Sequence, residues 1–345
     1  MSGEDLPYNR PTSPQSSLSQ PIADSLSTDG GIVQSWCNLG SCCCHPVPVP
    51  MISCPSCLPK LVFTINVMCA DFQCFKVYIS FFTEIGPHPA VLDLYTYGRG
   101  LSEARASLLA NRGFVVFTVS LYGYDDNPKN MTKIHLEYFE EAIQFLKNQP
   151  QVCGSGLGLL SLSKRGYLAL SIATFLPGIA ATVWINGCNA NAMIPLHYKG
   201  TALMLDTKRV FATKSGALNV KYVINDPMAV ENQATLIPIE RANGRFLFVA
   251  AEDDQNWDSC YFADQAMQQL ESHAKDDYES VFYPGAGHYY MPFCPSSIHG
   301  VIGKPVVWGG VPRSHAAAEV DLWRRIQEFF RTNLANNSNL SKAKL

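Results

Sequence analysis

Surplus charge is the first thing this chain lacks. Its 26 Lys and Arg face 29 Asp and Glu, a formal net charge of −3 over 345 residues. That composition supplies no basic footprint for a nucleic-acid backbone. A clean membrane-length apolar run is missing as well. The most apolar long stretch, 60–82, carries Asp71 and Lys76 near its middle. Charges at the centre of a span are expensive, so buried strands or a poorly packing stretch are expected there, and no stable membrane insertion. No secretory leader is evident in residues 1–30, which are polar and rich in Ser and Pro. A reducing compartment with mostly free thiols is therefore expected for the cysteines. Repeated Cys-x-x-Cys pairs are wanting too. Cys42, Cys43, Cys44 and His45 are followed by the single pair Cys54 and Cys57, which is not zinc-ribbon spacing, so the expectation is no metal and no cofactor.

What is present is unevenly distributed. Eight of the 12 cysteines fall in the first 85 residues, after a Ser/Pro-rich start with few aromatics. Residues 1–85 therefore read as a disordered or irregular Cys/Pro-rich leader. From residue 86 the texture changes. Buried strands are expected at 90–94, 114–119, 157–162, 181–185, 245–251 and 280–283, and helices at 102–110, 136–146, 167–175, 260–273 and 319–330. Apolar strands alternating with amphipathic helices imply βαβ units, hence an α/β fold with a mainly parallel sheet and helices on both faces. Residues 189–240 break the rhythm between two core strands, as a substrate-covering insertion would. A polar tail, 333–345, closes the chain.

The most informative run is Gly158-Leu159-Leu160-Ser161-Leu162-Ser163-Lys164-Arg165-Gly166. An apolar strand meets a Ser, and an Ala/Leu-rich helix pattern follows at once. That junction is how an α/β-hydrolase presents a nucleophile on a tight turn, with helix N–H groups facing the oxygen that becomes charged. The usual Gly-x-Ser-x-Gly pattern is altered, because Ser161 and Arg165 replace both glycines. In this fold the chain order is Ser, then acid, then His. Asp254 follows the apolar strand ending at Ala251, and His288 follows the strand before Pro284. Both then lie at carboxyl ends of strands, where open parallel sheets build their sites. Plainer readings stand beside these: Ser163 as an N-cap, His288 as a turn residue, Asp253 or Asp254 as a cap for the helix near Asp258. Oxyanion donors are expected from the N–H of Lys164 and from the loop holding Tyr97, Gly98, Arg99 and Gly100. His135 reads as structural, and His197, His273 and His299 lie in insertion, helix or late-loop contexts.

Longer stretches carry a resemblance. They are Arg105-Ala106-Ser107-Leu108-Leu109-Ala110, His135-Leu136-Glu137-Tyr138-Phe139-Glu140-Glu141-Ala142, Asp253-Asp254-Gln255-Asn256-Trp257, Tyr283-Pro284-Gly285-Ala286-Gly287-His288-Tyr289, and Trp308-Gly309-Gly310-Val311-Pro312-Arg313 followed by His315. Through them residues 86–332 resemble the C-terminal α/β-hydrolase domain of the acyl-CoA thioesterases related to bile acid-CoA:amino acid N-acyltransferase. The resemblance implies hydrolysis of fatty acyl-CoA by a triad of Ser163, His288 and Asp254. The transferase branch uses Cys as nucleophile, so Ser163 favours water as acceptor. A catalytically weak acyl-CoA-binding relative and an amino acid N-acyltransferase remain the alternatives.

The sequence departs from that family in two places. Residues 1–85 do not read as the family's leading β-sandwich, of whose final strand at most 75–82 is an echo. Gly at 165 would let the new helix pass close to the neighbouring strand, and Arg165 stands there instead. Gly166 is not expected to relieve this, and Tyr97 and Arg99 replace small residues in the oxyanion loop. Finally, Ala343-Lys344-Leu345 is a variant of the Ser-Lys-Leu address. It implies a peroxisomal import receptor as partner and the peroxisome as location, with the cytoplasm as alternative.

Overall fold

A computed structural model describes residues 62–67, 75–80, 87–94, 104–119, 134–196, 209–288, 298–301 and 304–334. Its strands are β1 (Val62–Val67), β2 (Phe75–Ser80), β3 (His88–Leu94), β4 (Val115–Val119), β5 (Val152–Leu162), β6 (Ile179–Ile185), β7 (Phe211–Ala212), β8 (Leu218–Asn219), β9 (Arg245–Ala251), β10 (Tyr278–Tyr283), β11 (Ile298–Val301) and β12 (Lys304–Val307). The helices are α1 (Ala104–Ala110), α2 (Glu137–Lys147), α3 (Gly166–Phe175), α4 (Ser259–Ser272) and α5 (Pro312–Leu334). The main sheet runs β1-β2-β4-β3-β5-β6-β9-β10, and β11-β12-β8-β7 form a small second sheet. From β4 to β10 every pairing in the main sheet is parallel. Only β1 and β2 add antiparallel pairings, at one edge.

The strand pattern explains the layering. Along a strand alternate side chains face opposite sides, and the central strands are apolar on both. In β9, Phe246, Phe248 and Ala250 join one core, while Leu247, Val249 and Ala251 join the other. The first core also takes Phe139, Ile143 and Leu146 from α2, Leu168 and Ile172 from α3, and Phe262 and Leu270 from α4. The second takes Leu109 from α1 and Leu322, Ile326, Phe329 and Phe330 from α5. Helices thus cover both faces, as parallel sheets require. Helix α3 runs Gly-Tyr-Leu-Ala-Leu-Ser-Ile-Ala and is buried along nearly its whole length. It therefore holds its N-terminus firmly at the sheet edge.

Several expectations need correcting. The boundary expected at 86 falls inside the domain, because β1 and β2, from within the supposed irregular leader, extend the main sheet. Phe75-Lys76-Val77-Tyr78-Ile79-Ser80 broadly alternates apolar and polar, the pattern of an antiparallel strand. It pairs with β4 of the main sheet. The strand expected at 157–162 starts at Val152, its first half obscured by Gly154 and Gly156. Gly158 has a packing reason, since a Cβ there would lie 2.7 Å from Cε1 of Phe330 on α5. The helix expected at 319–330 begins at Pro312, a residue well suited to a first helical position. Residues 189–240 are more than a cover, for Ala190, Ala192, Leu196, Ile224, Ile237 and Ile239 all enter the first core. The expected N-cap Ser102 and most of the leader lie outside the described residues.

Candidate active site

The nucleophile candidate owes its position to backbone geometry. Strand β5 ends in extended conformation at Leu162, and Ser163 takes φ +58°, the left-handed region that a non-glycine residue adopts at a cost of about 1–2 kcal/mol. One 3₁₀ turn, Ser163–Arg165, leads into α3. The sharp turn lifts Ser163 Oγ off the sheet edge, with the start of the helix beneath it.

The three residues expected to act together are brought into contact. His288 Nε2 lies 2.6 Å from Ser163 Oγ, and His288 Nδ1 lies 2.7 Å from Asp254 Oδ2. The carboxylate is an acceptor, so Nδ1 carries the proton and Nε2 is left to accept from the Ser163 hydroxyl. Asp254 is buried and well held. Its Oδ1 accepts the amides of Asn256 at 2.8 Å and Trp257 at 2.9 Å, and Ser259 Oγ donates to Oδ2. The expected helix-capping role is not seen: the cap position ahead of α4 is Asp258, and Asp254 instead accepts the amides of the preceding turn while contacting the imidazole. The His288 ring stacks parallel to Trp257 at 6.4 Å and meets Trp308 edge-on at 6.2 Å. Those two indoles leave the ring few rotamers.

Two further side chains fasten this constellation, and sequence reasoning missed the first entirely. Asn186 follows β6 with φ +46°. Its Nδ2 donates to the His288 carbonyl at 2.7 Å, and its Oδ1 accepts the Ala251 amide at 2.9 Å. It thereby ties the base loop to β9, which carries the acid. Asn ahead of Gly187 at a strand end was the available signal, since Asn tolerates the left-handed region. Asp253, read only as a possible cap, takes the Gly310 amide at 2.8 Å and the Gln255 side chain at 2.8 Å.

The altered elbow is accommodated differently from expectation. Ser161 is buried, and its Oγ donates to the Val183 carbonyl across the β5–β6 pairing at 3.0 Å. The close helix–strand crossing falls at Gly166, where a Cβ would lie 2.6 Å from Trp184 Nε1 and 2.8 Å from Gly187 Cα. Gly166 is the first residue of α3, and Arg165, the last residue of the 3₁₀ turn, is buried beside it. Lys164 follows the nucleophile and is half-buried, whereas Tyr97 and Gly98 lie outside the described residues. His135 packs edge-on to Tyr138, and His273 sits exposed at the end of α4. His299 falls on β11, and His197 is outside the described residues. Cys188, buried just past β6, has its thiol pushed up to about 12 by burial, which makes it a poor nucleophile. It, Cys153 and Cys260 are free thiols. Among the described residues no group of His, Cys, Asp and Glu has a metal-holding arrangement, and no helix is long and apolar enough to cross a membrane.

A buried Ser–His–Asp relay beside a helix N-terminus is equipped for attack on an acyl carbonyl. Comparison with known proteins points the same way. The family described as "BAAT / Acyl-CoA thioester hydrolase C terminal" matches residues 134–336. Human "Acyl-coenzyme A thioesterase 2, mitochondrial" is 44% identical over 269 residues, 76% of this chain and 56% of that protein. Human "Acyl-coenzyme A thioesterase 1" is 43% identical over 76% of this chain and 64% of its own length. The chain thus spans between half and two thirds of those relatives. Among solved structures, an acylaminoacyl peptidase from Pyrococcus horikoshii aligns with TM-score 0.52 at 14% identity, covering 80% of this chain and 42% of that one. At that identity the likeness is one of fold, and with the strand order above the fold is that of an α/β-hydrolase.

Proposed function

Since this chain belongs to the BAAT / acyl-CoA thioester hydrolase family, we propose that it hydrolyses fatty acyl-CoA to free fatty acid and CoA through Ser163, His288 and Asp254. The observation that carries the reading is the continuous relay from Ser163 Oγ through His288 to Asp254, at 2.6 and 2.7 Å. Ser163 Oγ attacks the thioester carbonyl while His288 Nε2 takes its proton. Asp254 keeps the imidazole in the required tautomer and stabilises the imidazolium. The charged oxygen is held by the N–H of Lys164 and a second donor from the Tyr97–Gly98 loop. Collapse expels CoA as its thiolate, which takes the proton from His288. A water activated by the same nitrogen then attacks the acyl-Ser ester, and Ser163 is regenerated as the fatty acid leaves. These steps require no metal or redox cofactor.

The test is steady-state hydrolysis of palmitoyl-CoA, with released thiol trapped as it forms. Ser163→Ala and His288→Ala should each lower kcat by about 10³-fold or more. Turnover that survives Ser163→Ala removes the mechanism. Repeating the assay with glycine or taurine present, and analysing the products, separates hydrolysis from amide formation. Ser163 in place of Cys supports water as acceptor. The C-terminal Ala343, Lys344 and Leu345 support delivery to the peroxisome by a receptor that reads that tripeptide. A reporter bearing the last residues of the chain that stays in the cytoplasm would overturn this.

A further inference from the structure

His315 is one of the buried titratable residues, among those described, that the relay leaves unused. It lies on the first turns of α5, behind the loop that delivers His288. That loop is clamped by backbone to the segment entering α5. The His288 amide donates to the Trp308 carbonyl at 2.7 Å, and the Val311 amide to the Gly285 carbonyl at 2.8 Å. The packing is so close that a Cβ on Gly287 would lie 2.2 Å from the Gly309 carbonyl oxygen. The Gly287 amide is sealed in this crossing, and a buried N–H needs an acceptor. His315 Nδ1 supplies it at 3.0 Å.

Accepting at Nδ1 determines the rest of the ring. The neutral imidazole then carries its proton on Nε2, and Nε2 faces Glu319 Oε1 at 3.8 Å, one helical turn along. Both side chains are buried. This is a second histidine–carboxylate pair of opposite polarity to the first. In His288 the carboxylate faces Nδ1 and leaves Nε2 to accept. In His315 the carboxylate faces Nε2 and leaves Nδ1 to accept.

We propose that His315, accepting the Gly287 amide at Nδ1, is a positioning residue for His288. By accepting the Gly287 amide it sets the Ala286–Gly287 peptide plane, one peptide ahead of the base, and through it the course of the loop that aims Nε2 at Ser163 Oγ. The inference rests on the Ser163–His288–Asp254 reading above. Glycine at 287 has wide backbone freedom, so an acceptor for its amide narrows the conformations open to the loop.

The test uses the full chain and three substitutions that differ in where an acceptor lies. His315→Asn places its amide oxygen near the former Nδ1. His315→Gln fills similar space but carries the oxygen toward the former Nε2. His315→Ala removes the acceptor. Turnover of palmitoyl-CoA is measured with the labelling rate of Ser163 by a fluorophosphonate, which does not depend on the natural acyl group. The downfield proton resonance of the His288–Asp254 hydrogen bond reports the base directly. Expected are losses of up to about 10²-fold in kcat and labelling for Gln and Ala, with KM little changed and the resonance shifted or broadened. Asn should restore most of both. Equal impairment of Asn and Gln, or wild-type rates in Gln, overturns the inference while leaving the triad in place. If Ser163→Ala retains both turnover and labelling, the triad reading fails and takes this inference with it. Should His315→Ala not fold, the Asn and Gln pair alone decides.

Discussion

Gly166→Ala is the sharpest probe of how the nucleophile is mounted. A Cβ at 166 would sit 2.6 Å from Trp184 Nε1, 3.0 Å from Trp184 Cδ1 and 2.8 Å from Gly187 Cα. Comfortable contacts between such atoms begin near about 3.5 Å, so α3 or its neighbours must give by close to an ångström. The indole has little freedom to do so, being fully buried and edge-on to Phe248 at 5.7 Å. Gly187 Cα is backbone. Against this, Ala improves helix propensity by up to about 1 kcal/mol, and the residue's φ of −57° suits it. Overpacking of a tight core costs about 1–3 kcal/mol, so the net expectation is a loss of about 1–2 kcal/mol. Ser163 is three residues upstream on the same turn, and its displacement should lower kcat by up to about 10²-fold. Urea denaturation and palmitoyl-CoA turnover read the two effects. Arg165→Gly is the control: it removes a buried side chain without opening the crossing, so it should lower stability and leave turnover unimproved. A Gly166→Ala protein as stable and as active as the wild type would refute the placement of the crossing.

Three other perturbations test separate parts of the structure. Asn186→Ala strips the Ala251 amide and the His288 carbonyl of their partner and puts alanine at a positive φ, so it should cost about 2–4 kcal/mol in urea denaturation and lower kcat. Phe330→Ala empties the space over Gly158 and should cost about 3–5 kcal/mol; a loss under about 1 kcal/mol would show that α5 does not seal that face. For Asp321, burial opposes the charged form, but hydrogen bonds from Arg325, Arg324 and Tyr283 outweigh it and lower the carboxyl to about 2, from 3.8. A depressed carboxyl stabilises the fold above its unfolded value and loses that contribution as pH falls through the folded one. The Tm advantage of wild type over Asp321→Asn should therefore be steady above about pH 5 and vanish towards pH 2; a gap independent of pH would contradict it.

How much was legible depended on how local the signal was. Strand β9 could be read to the residue, because Arg245-Phe246-Leu247-Phe248-Val249-Ala250-Ala251 is an uninterrupted apolar run once past its arginine. Strand β5 was half-hidden, since the glycines that let α5 and the neighbouring strand come close also dilute the strand pattern. The candidates Ser163, Asp254 and His288 were legible from chain order at strand ends. Asn186 was not, because its role lies in spanning residues 102 and 65 positions away. His315 stood out as part of a motif, but nothing in that motif says which backbone amide it faces. The contact of Gly166 with Trp184 shows the same limit, because spacing along the chain does not say which Cα meets the indole.

The order of residues by itself determined the alternation of buried strands and helices, and with it a parallel sheet whose functional edge carries a Ser, an Asp and a His. These follow from side-chain periodicity and turn chemistry, which act over a few residues. Only the tertiary structure decided that the hydroxyl, imidazole and carboxylate come within hydrogen-bond distance, that Gly166 is the residue under the indole, and that a second histidine accepts the Gly287 amide next to the first. Those outcomes depend on how separate strands are registered and how closely α3 and α5 pack against them, and such distances are set by the whole sheet at once.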